Sequence, residues 1–364
     1  MKHHITLLGG QLMPILLGIR EFAPDIVYLL CSRESEKGAA AIKKMANPVK
    51  VKEIQVEAFN YGAIKKACEA ILPLIMEGDE LNVNLTGGTK IMALACQAFV
   101  LEHQLKGFYI NQNNTVLAIP GYQTVPVKEK LSINDFFALS GHQHYTVEHV
   151  ADYNAQDRTA AAAIEAFAPT PQYKDIMAHI RRTFKDQTIP ANGNETFGKD
   201  DRLRYKWDDK EVEIFIDRKS KHRFTSEKIM DLFFNAAWWE LIVALALEKN
   251  LKPQELFMKV KLPYISDKGT DKNEIDILIS HNNKLIFIEC KSGTVKNADV
   301  QKMKSIKQTY GGLVSKSILV SLYPPGDAIQ ERCRELDIVV FTGMAKNFNQ
   351  LAAIIQKLGK SPSL

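Results

Sequence analysis

The sequence predicts an α/β protein built as two units and a connector. From residue 1 to about 120, strand-like apolar runs alternate with helical periods, the pattern of a mostly parallel sheet with helices on both faces. From about residue 226 onward, a long apolar helix leads into two β-branched strands joined by a polar turn, and strand and helix then alternate again. The expected boundaries are 1–138, 139–225 and 226–364, and 364 residues suffice for that division.

In the first unit, Ile5 to Leu8 is a strand, Gly9-Gly10-Gln11 a turn, and a helix runs to Phe22. Ile26 to Leu30 is the next strand and leads into Cys31-Ser32-Arg33. A helix from about Ser35 to Ala46, a strand from Val49 to Val56, and a helix carrying Ile64, Ala67, Cys68, Ile71, Leu72 and Ile75 follow. Leu81 to Leu85 is a strand, and Thr86-Gly87-Gly88-Thr89-Lys90 opens the helix from Ile91 to His103. Strands at Phe108 to Ile110 and Thr115 to Ile119 close the unit.

Ligands of such sheets bind beyond the carboxyl ends of the strands. The Thr86 to Lys90 loop falls there and offers backbone N–H groups, a helix N-terminus and one full positive charge to an anion. The loop Gly9-Gly10-Gln11-Leu12-Met13-Pro14 is its neighbour. Neither loop has the G-x-x-x-x-G-K-[ST] or G-x-G-x-x-G spacing, so ATP and NAD are disfavoured. The bland reading of Thr86 to Lys90 is a helix cap whose glycines serve the turn.

From Gly121 to Thr225 the periodicity weakens. Thr159 to Phe167 and Tyr173 to Lys185 read as helices, and Leu203 to Trp207 and Glu211 to Ile216 as a hairpin turning at Asp208-Asp209. His142, His144 and His149 lack the carboxylate or cysteine spacing of a metal site.

The second unit begins with a helix from Ile229 to Leu247 that bears Glu240. A strand at Leu256 to Leu262 follows, then the polar stretch Tyr264 to Asn273 with Asp267, Lys268, Gly269, Thr270, Asp271 and Lys272, which reads either as a loop contacting nucleic acid or as plain solvated loop. Asn273 to Ile279 and Lys284 to Lys291 form a hairpin turning at His281-Asn282-Asn283. A helix after Asp299, a strand at Ile318 to Ser321, a helix through Ile329 to Leu336, a strand at Ile338 to Phe341 and a last helix complete it.

Asp276, Glu289 and Lys291 interrupt the apolar hairpin. Carboxylates lose several kcal/mol of hydration on burial, and a divalent cation with oxygen ligands is one partner that offsets it. Glu289 and Lys291 are two apart on one strand and share a face, whereas Cys290 points the other way, into core. The plain alternative is a surface ion pair between Glu289 and Lys291. From Lys284 to Lys316 seven lysines stand against two acids, which suits a polyanion or, equally, a solvated helix face. Gln308 and Tyr310, beyond this strand, are weaker candidates for polar helpers.

No apolar run is long enough to cross a bilayer, the N-terminus lacks a signal-peptide layout, and five scattered cysteines form no disulfide or zinc pattern. A reducing cytoplasm and no membrane partner are the expectation.

Asp276 followed by Glu289-Cys290-Lys291 resembles the PD-(D/E)XK nuclease superfamily. The resemblance implies that Asp276, Glu289 and the backbone carbonyl of Cys290 hold Mg²⁺ or Mn²⁺, that Lys291 orients or deprotonates the attacking water, and that Glu240 completes the site. The T-G-G-T-K loop and the glycine loop after the first strand resemble the CRISPR-associated Rossmann fold, or CARF, domain. That resemblance implies a homodimer whose two-fold axis takes a cyclic oligoadenylate, cyclic tetra-adenylate by family, against Gly10, Gln11, Met13, Ser32, Thr86, Gly87, Gly88, Thr89 and Lys90. Together the halves resemble the DUF1887 group of type III CRISPR ancillary nucleases, metal-dependent enzymes that act on DNA or RNA. Two rivals are a ligand-responsive nucleic-acid-binding protein with a degenerate nuclease fold, and a CARF domain that degrades its own cyclic nucleotide.

Overall fold

The structure, a computed structural model, describes residues 1–142, 144–185, 187–264, 271–311, 315–343 and 347–359. Alternation in the N-terminal third becomes β1 (Lys2–Leu7), α1 (Met13–Phe22), β2 (Ile26–Cys31), α2 (Glu36–Met45), β3 (Lys50–Gln55), α3 (Tyr61–Glu69), β4 (Glu80–Asn84), α4 (Lys90–Glu102), β5 (Lys106–Asn111), β6 (Thr115–Ile119) and β7 (Thr124–Pro126). The sheet order is β3-β2-β1-β4-β5-β6-β7, parallel through β5 and antiparallel after it. β1 and β2 are buried along nearly their whole length, as a central parallel strand covered on both faces must be. The reversal of strand order beside β1 brings the loops after β1, β2 and β4 to one edge.

The next segment contains α5 (Ile133–Leu139), β8 (Thr146–Glu148), α6 (Ala155–Phe167), α7 (Pro171–Thr183), β9 (Gly193–Phe197), β10 (Leu203–Trp207), β11 (Glu211–Ile216) and β12 (Lys219–Thr225). Where the sequence suggested one hairpin, β9 to β12 make a four-stranded antiparallel sheet in the order β12-β11-β10-β9. The two added strands are the sheet's edges, and their polar sequences GNETF and KSKHRFT carry little burial pattern to betray them. The segment is also no free-standing spacer: β8 pairs with β13 of the C-terminal sheet, and buried Ser226 Oγ donates to Asp157 Oδ1 at 2.6 Å.

The C-terminal part contains α8 (Ala237–Leu251), β13 (Glu255–Pro263), β14 (Asp271–His281), β15 (Lys284–Lys291), α9 (Asn297–Ile306), β16 (Lys316–Ser321), α10 (Asp327–Glu335), β17 (Ile338–Thr342) and α11 (Phe348–Gly359). Its sheet runs β17-β16-β15-β14-β13-β8, with β15, β16 and β17 parallel and the remainder antiparallel. The helix expected from Ile229 to Leu247 is broken. Met230–Phe234 form a five-residue π turn, and Ala236 takes a left-handed φ of +62° before α8 starts. The break re-aims α8 so that Trp238 and Trp239 are both buried, their indole N–H groups donating to Tyr173 Oη at 3.0 Å and to the Val320 carbonyl at 3.1 Å. Of the polar stretch Tyr264 to Asn273, residues 265–270 lie outside the described residues, and β14 begins at Asp271.

The two halves share a core. Leu16 and Leu17 of α1, Phe136 and Phe137 of α5, and Leu278, Leu285 and Phe287 of the hairpin belong to one buried cluster. The hairpin's two-residue turn, Asn282-Asn283, has φ of +51° and +54°, a conformation Asn tolerates well. Asn283 clips this turn to the N-terminal half: its Oδ1 accepts the Leu131 N–H at 2.7 Å, and its Nδ2 donates to Asn114 Oδ1 at 2.6 Å and to the Glu129 carbonyl at 2.9 Å. Asn283→Ala removes all three bonds and the left-handed preference at once. The expected loss is about 2 kcal/mol or more, read as a lowered midpoint of thermal or urea unfolding, with Asn283→Asp falling between.

Candidate active site

Strand register places the reactive groups. In the β14–β15 hairpin Ile277 pairs with Ile288, which leaves Asp276 and Glu289 as the next facing positions. Asp276 Oδ2 accepts the Cys290 N–H at 2.7 Å, so one carboxyl is tied to the backbone of the strand bearing the other. Both carboxylates are buried, 7% and 3% exposed. Lys291 Nζ lies 2.8 Å from Glu289 Oε1 and 3.3 Å from Asp299 Oδ1. Glu240 enters from the first turn of α8, and its Oε2 is buried with no hydrogen-bond partner among the described residues. All four sequence candidates therefore line one open cleft of about 690 Å³, together with Glu274, Asp299, Lys302 and Arg181.

The electrostatics are those of too many carboxyl groups in too little water. Burial, then the charge of Glu289, pushes Asp276 up to about 7, against the Cys290 N–H and the Lys302 and Lys291 charges. Glu240 is raised well above the ordinary carboxylate range by burial and then by Asp276. Lys291 goes the other way: burial would lower it, but Glu289 beside it holds the ammonium above its usual range. A lysine so held is a charged donor and a poor base. Burial, then the charges of Asp276 and Glu240, raises the Cys290 thiol, which belongs to the apolar cluster that α8 covers even though the residue also lines the cleft.

Glu274, Asp299, Lys302 and Arg181 escaped the sequence reading of the site. Lys302 Nζ reaches Glu289 Oε2 at 3.3 Å, giving that carboxylate a second cation. It lies three residues after Asp299 on α9, whose Val300, Met303 and Ile306 face the core, so helical spacing could have singled it out. Arg181 comes from α7, more than 90 residues before the hairpin, and no local signal marks it. Tyr310 is not a site helper: it is buried against His142 at 4.6 Å between ring centres and accepts from Asn273 Nδ2 at 3.0 Å. Its side chain serves the shared core.

At the carboxyl edge of the first sheet the glycine loops meet. A Cβ on Gly87 would stand 2.0 Å from the Leu7 carbonyl oxygen, and Gly88 has φ +73°, so neither position accepts a side chain. Thr89 caps α4, accepting the Met92 N–H at 3.2 Å while donating to the Ala58 carbonyl at 2.6 Å. The Thr86 hydroxyl donates to Asn84 Oδ1 at 2.6 Å and accepts the Ile110 N–H at 2.8 Å. Both hydroxyls are thus engaged within the fold, and the exposed Lys90 with the N-terminus of α4 remains for an anion. Gln11, Met13 and Thr86 line one pocket of about 180 Å³ with Asn282 and Asn283, whereas Ser32 lines a separate groove with Phe59 and Asn60.

A doubly wound sensor-type sheet fused to a sheet with carboxylates and a lysine on a central hairpin defines a ligand-responsive nuclease. Comparison with known proteins agrees. Residues 3–136 match the Card1 CARF domain and residues 227–354 the Card1-like endonuclease domain, so the chain belongs to the Card1-like family of type III CRISPR ancillary nucleases. Can2 from Sulfobacillus thermosulfidooxidans, solved in complex with cyclic tetra-adenylate, superposes with a TM-score of 0.74 at 19% identity over 99% of this chain and 100% of that one. Protein VC1899 from Vibrio cholerae gives 0.76 at 16% identity over 99% of each chain. A type III CRISPR defence DNA nuclease activated by cyclic oligoadenylate gives 0.53 at 15% identity over 94% of this chain and 51% of that one. No curated protein matches by sequence. No helix among the described residues is long and apolar enough to cross a membrane.

The raised carboxyl of Asp276 has a stability consequence. Its contribution is present below the ordinary carboxylate pKa and is lost as pH rises towards about 7, because the unfolded chain gives up that proton first. Metal-free protein is expected to lose stability across that window in thermal melts, and Asp276→Asn to flatten the slope.

Proposed function

We propose that this chain is an endonuclease switched on by a cyclic oligoadenylate, cyclic tetra-adenylate in particular, and working with a divalent ion, Mn²⁺ or Mg²⁺. The observation that carries the reading is the convergence of Glu240, Asp276, Glu289 and Lys291 in one cleft. Mutually repelling buried carboxyls and the partnerless Glu240 Oε2 are what a cation would relieve, which fits a metal held by Asp276, Glu289 and the Cys290 carbonyl, with Glu240 adjoining. When bound, such an ion polarises the phosphodiester and lowers the pKa of water. The chain's own part is positional. Lys291, held charged, donates to the attacking water or to the phosphoryl oxygens and is not the base, and Lys302 brings a second positive charge to the face where phosphate charge grows. Basic side chains alone bind DNA and RNA backbones alike.

The effector is proposed to lie on the loops after β1 and β4, with Lys90 and the α4 N-terminus facing its phosphates and Gln11 and Met13 alongside. Gln11, Met13 and Thr86 share a pocket with the turn of the catalytic hairpin, which supports direct coupling from effector to Asp276 and Glu289. A homodimer is part of the same proposal. Leu94 and Leu101, seven apart on one face of α4, are 55% and 48% exposed, an apolar stripe for a second copy to cover.

Incubation with supercoiled DNA or single-stranded RNA, with and without Mn²⁺ and cyclic tetra-adenylate, tests the whole: cleavage is expected only when both are present, and metal-independent or effector-indifferent cleavage contradicts it. Glu289→Ala and Lys291→Ala should each cut the rate roughly 100-fold or more while effector binding, followed by calorimetry, is unchanged. Lys90→Ala should raise the effector concentration for half-activation about tenfold and leave the saturated rate intact.

A further inference from the structure

Lys259 breaks the regularity of β13 at the point where the strand passes Asp276. Met258 pairs with Ile277 and Val260 with Ile275, so Lys259 stands opposite Asp276, and it does so with a left-handed φ of +47°. A lysine in that conformation inside a strand is rare, and such residues persist where the surroundings over-determine them. Its side chain is 11% exposed, and its ammonium donates to Asp231 Oδ2 in the π turn. Burial would lower that ammonium, but the bond to Asp231 and the charges of Asp231, Glu240 and Glu148 hold it above its usual range. Asp231 in turn secures the corner ahead of α8: its Oδ1 accepts the Asn235 side-chain amide at 3.1 Å and its carbonyl accepts the Asn235 N–H at 3.2 Å. Asn235, the left-handed Ala236 and Glu240 then line the catalytic cleft, whereas Lys259 and Asp231 lie outside its lining.

We propose that Lys259 is a positioning residue of the nuclease: through Asp231 and Asn235 it fixes the corner between the π turn and α8, and thereby the place from which Glu240 enters the cleft. The inference rests on the nuclease reading of that cleft. Ala236 stands about one helical turn before Glu240, so a corner that swings carries the first turn of α8 with it. Glu240 Oε2 is buried with no hydrogen bond among the described residues to fix its direction, so the helix that bears it must be held from behind. Lys259 does this from the strand beside Asp276, which ties the corner to the same sheet that carries the other two carboxylates.

The test uses the full chain on supercoiled DNA and on single-stranded RNA, with Mn²⁺ and cyclic tetra-adenylate saturating. Lys259→Met keeps the length of the side chain and leaves Asp231, 37% exposed, within reach of water. It is expected to lower kcat roughly tenfold or more with little change in KM, and Lys259→Arg to keep most of the rate. Glu240→Gln should lower kcat as well, and adding Lys259→Met to it should cost no more than about twofold further, because the two act on one carboxylate. Asp231→Asn leaves the Lys259 charge in place and weakens only the tie, so a several-fold fall there locates the effect in the corner; this variant carries the test if Lys259→Met fails to fold. A purely structural ion pair would lower the midpoint of thermal unfolding and leave kcat below the melt unchanged. That result, an unchanged rate in Glu240→Gln, or falls that multiply in the double variant would overturn the positioning role and spare the nuclease. Unaltered protein that cleaves neither substrate would overturn the nuclease reading itself.

Discussion

Carboxyl groups of like charge cannot share a cleft shut away from water unless something answers their repulsion. In this protein Asp276, Glu289 and Glu240 are brought together by three elements that have every apolar reason to pack: the hairpin strands β14 and β15 and the tryptophan-bearing helix α8. Lys291 and Lys302 answer Glu289 directly. Among the described residues Asp276 has only the Cys290 N–H as a hydrogen-bond partner, and Glu240 Oε2 has none. The fold thus holds an electrostatic debt at a place where polar groups are expensive, which is how a binding site for a hard cation differs from a structural ion pair.

That debt sits on a stiff lever. The hairpin carrying Asp276 and Glu289 is buried on both faces, and its turn is pinned by Asn283 to the β5–β6 turn at Asn114 and to the segment at Glu129 and Leu131. Arg20 of α1 grips Asp135 at the start of α5 with paired bonds of 2.6 and 2.7 Å. Burial alone would raise the Asp135 carboxyl, and Arg20 with the Ser132 N–H holds it below its ordinary range. Gln11, Met13 and Thr86 of the loops after β1 and β4 line one pocket with the hairpin's turn, so packed side chains and hydrogen bonds join that edge of the first sheet to the hairpin.

Much of this was legible in the sequence because the signals are local. Strand and helix alternation announced the first sheet, and an apolar hairpin interrupted by Asp276, Glu289 and Lys291 announced the cleft. What stayed hidden depended on contacts between distant segments. The π turn and left-handed Ala236 that split the Glu240 helix follow from burying two adjacent tryptophans, an outcome that helical periodicity does not encode. Edge strands β9 and β12 are polar and charged, Arg181 arrives from another helix, and Tyr310 turned inward because His142 and Asn273 gave its ring and hydroxyl a buried home. The threonines of the glycine loop were read as ligand contacts, yet their hydroxyls complete the fold's own hydrogen bonds.

The most direct measurement is the proton balance of metal binding. Calorimetric titration of Mn²⁺ into the metal-free protein at about pH 6, repeated in buffers of different ionisation enthalpy, counts the protons displaced. With Asp276 raised to about 7 and Glu240 raised beside it, binding should release protons, and Asp276→Asn should abolish both the release and the tight site. Binding that releases no proton, or that is indifferent to Asp276→Asn, would contradict the metal-site account.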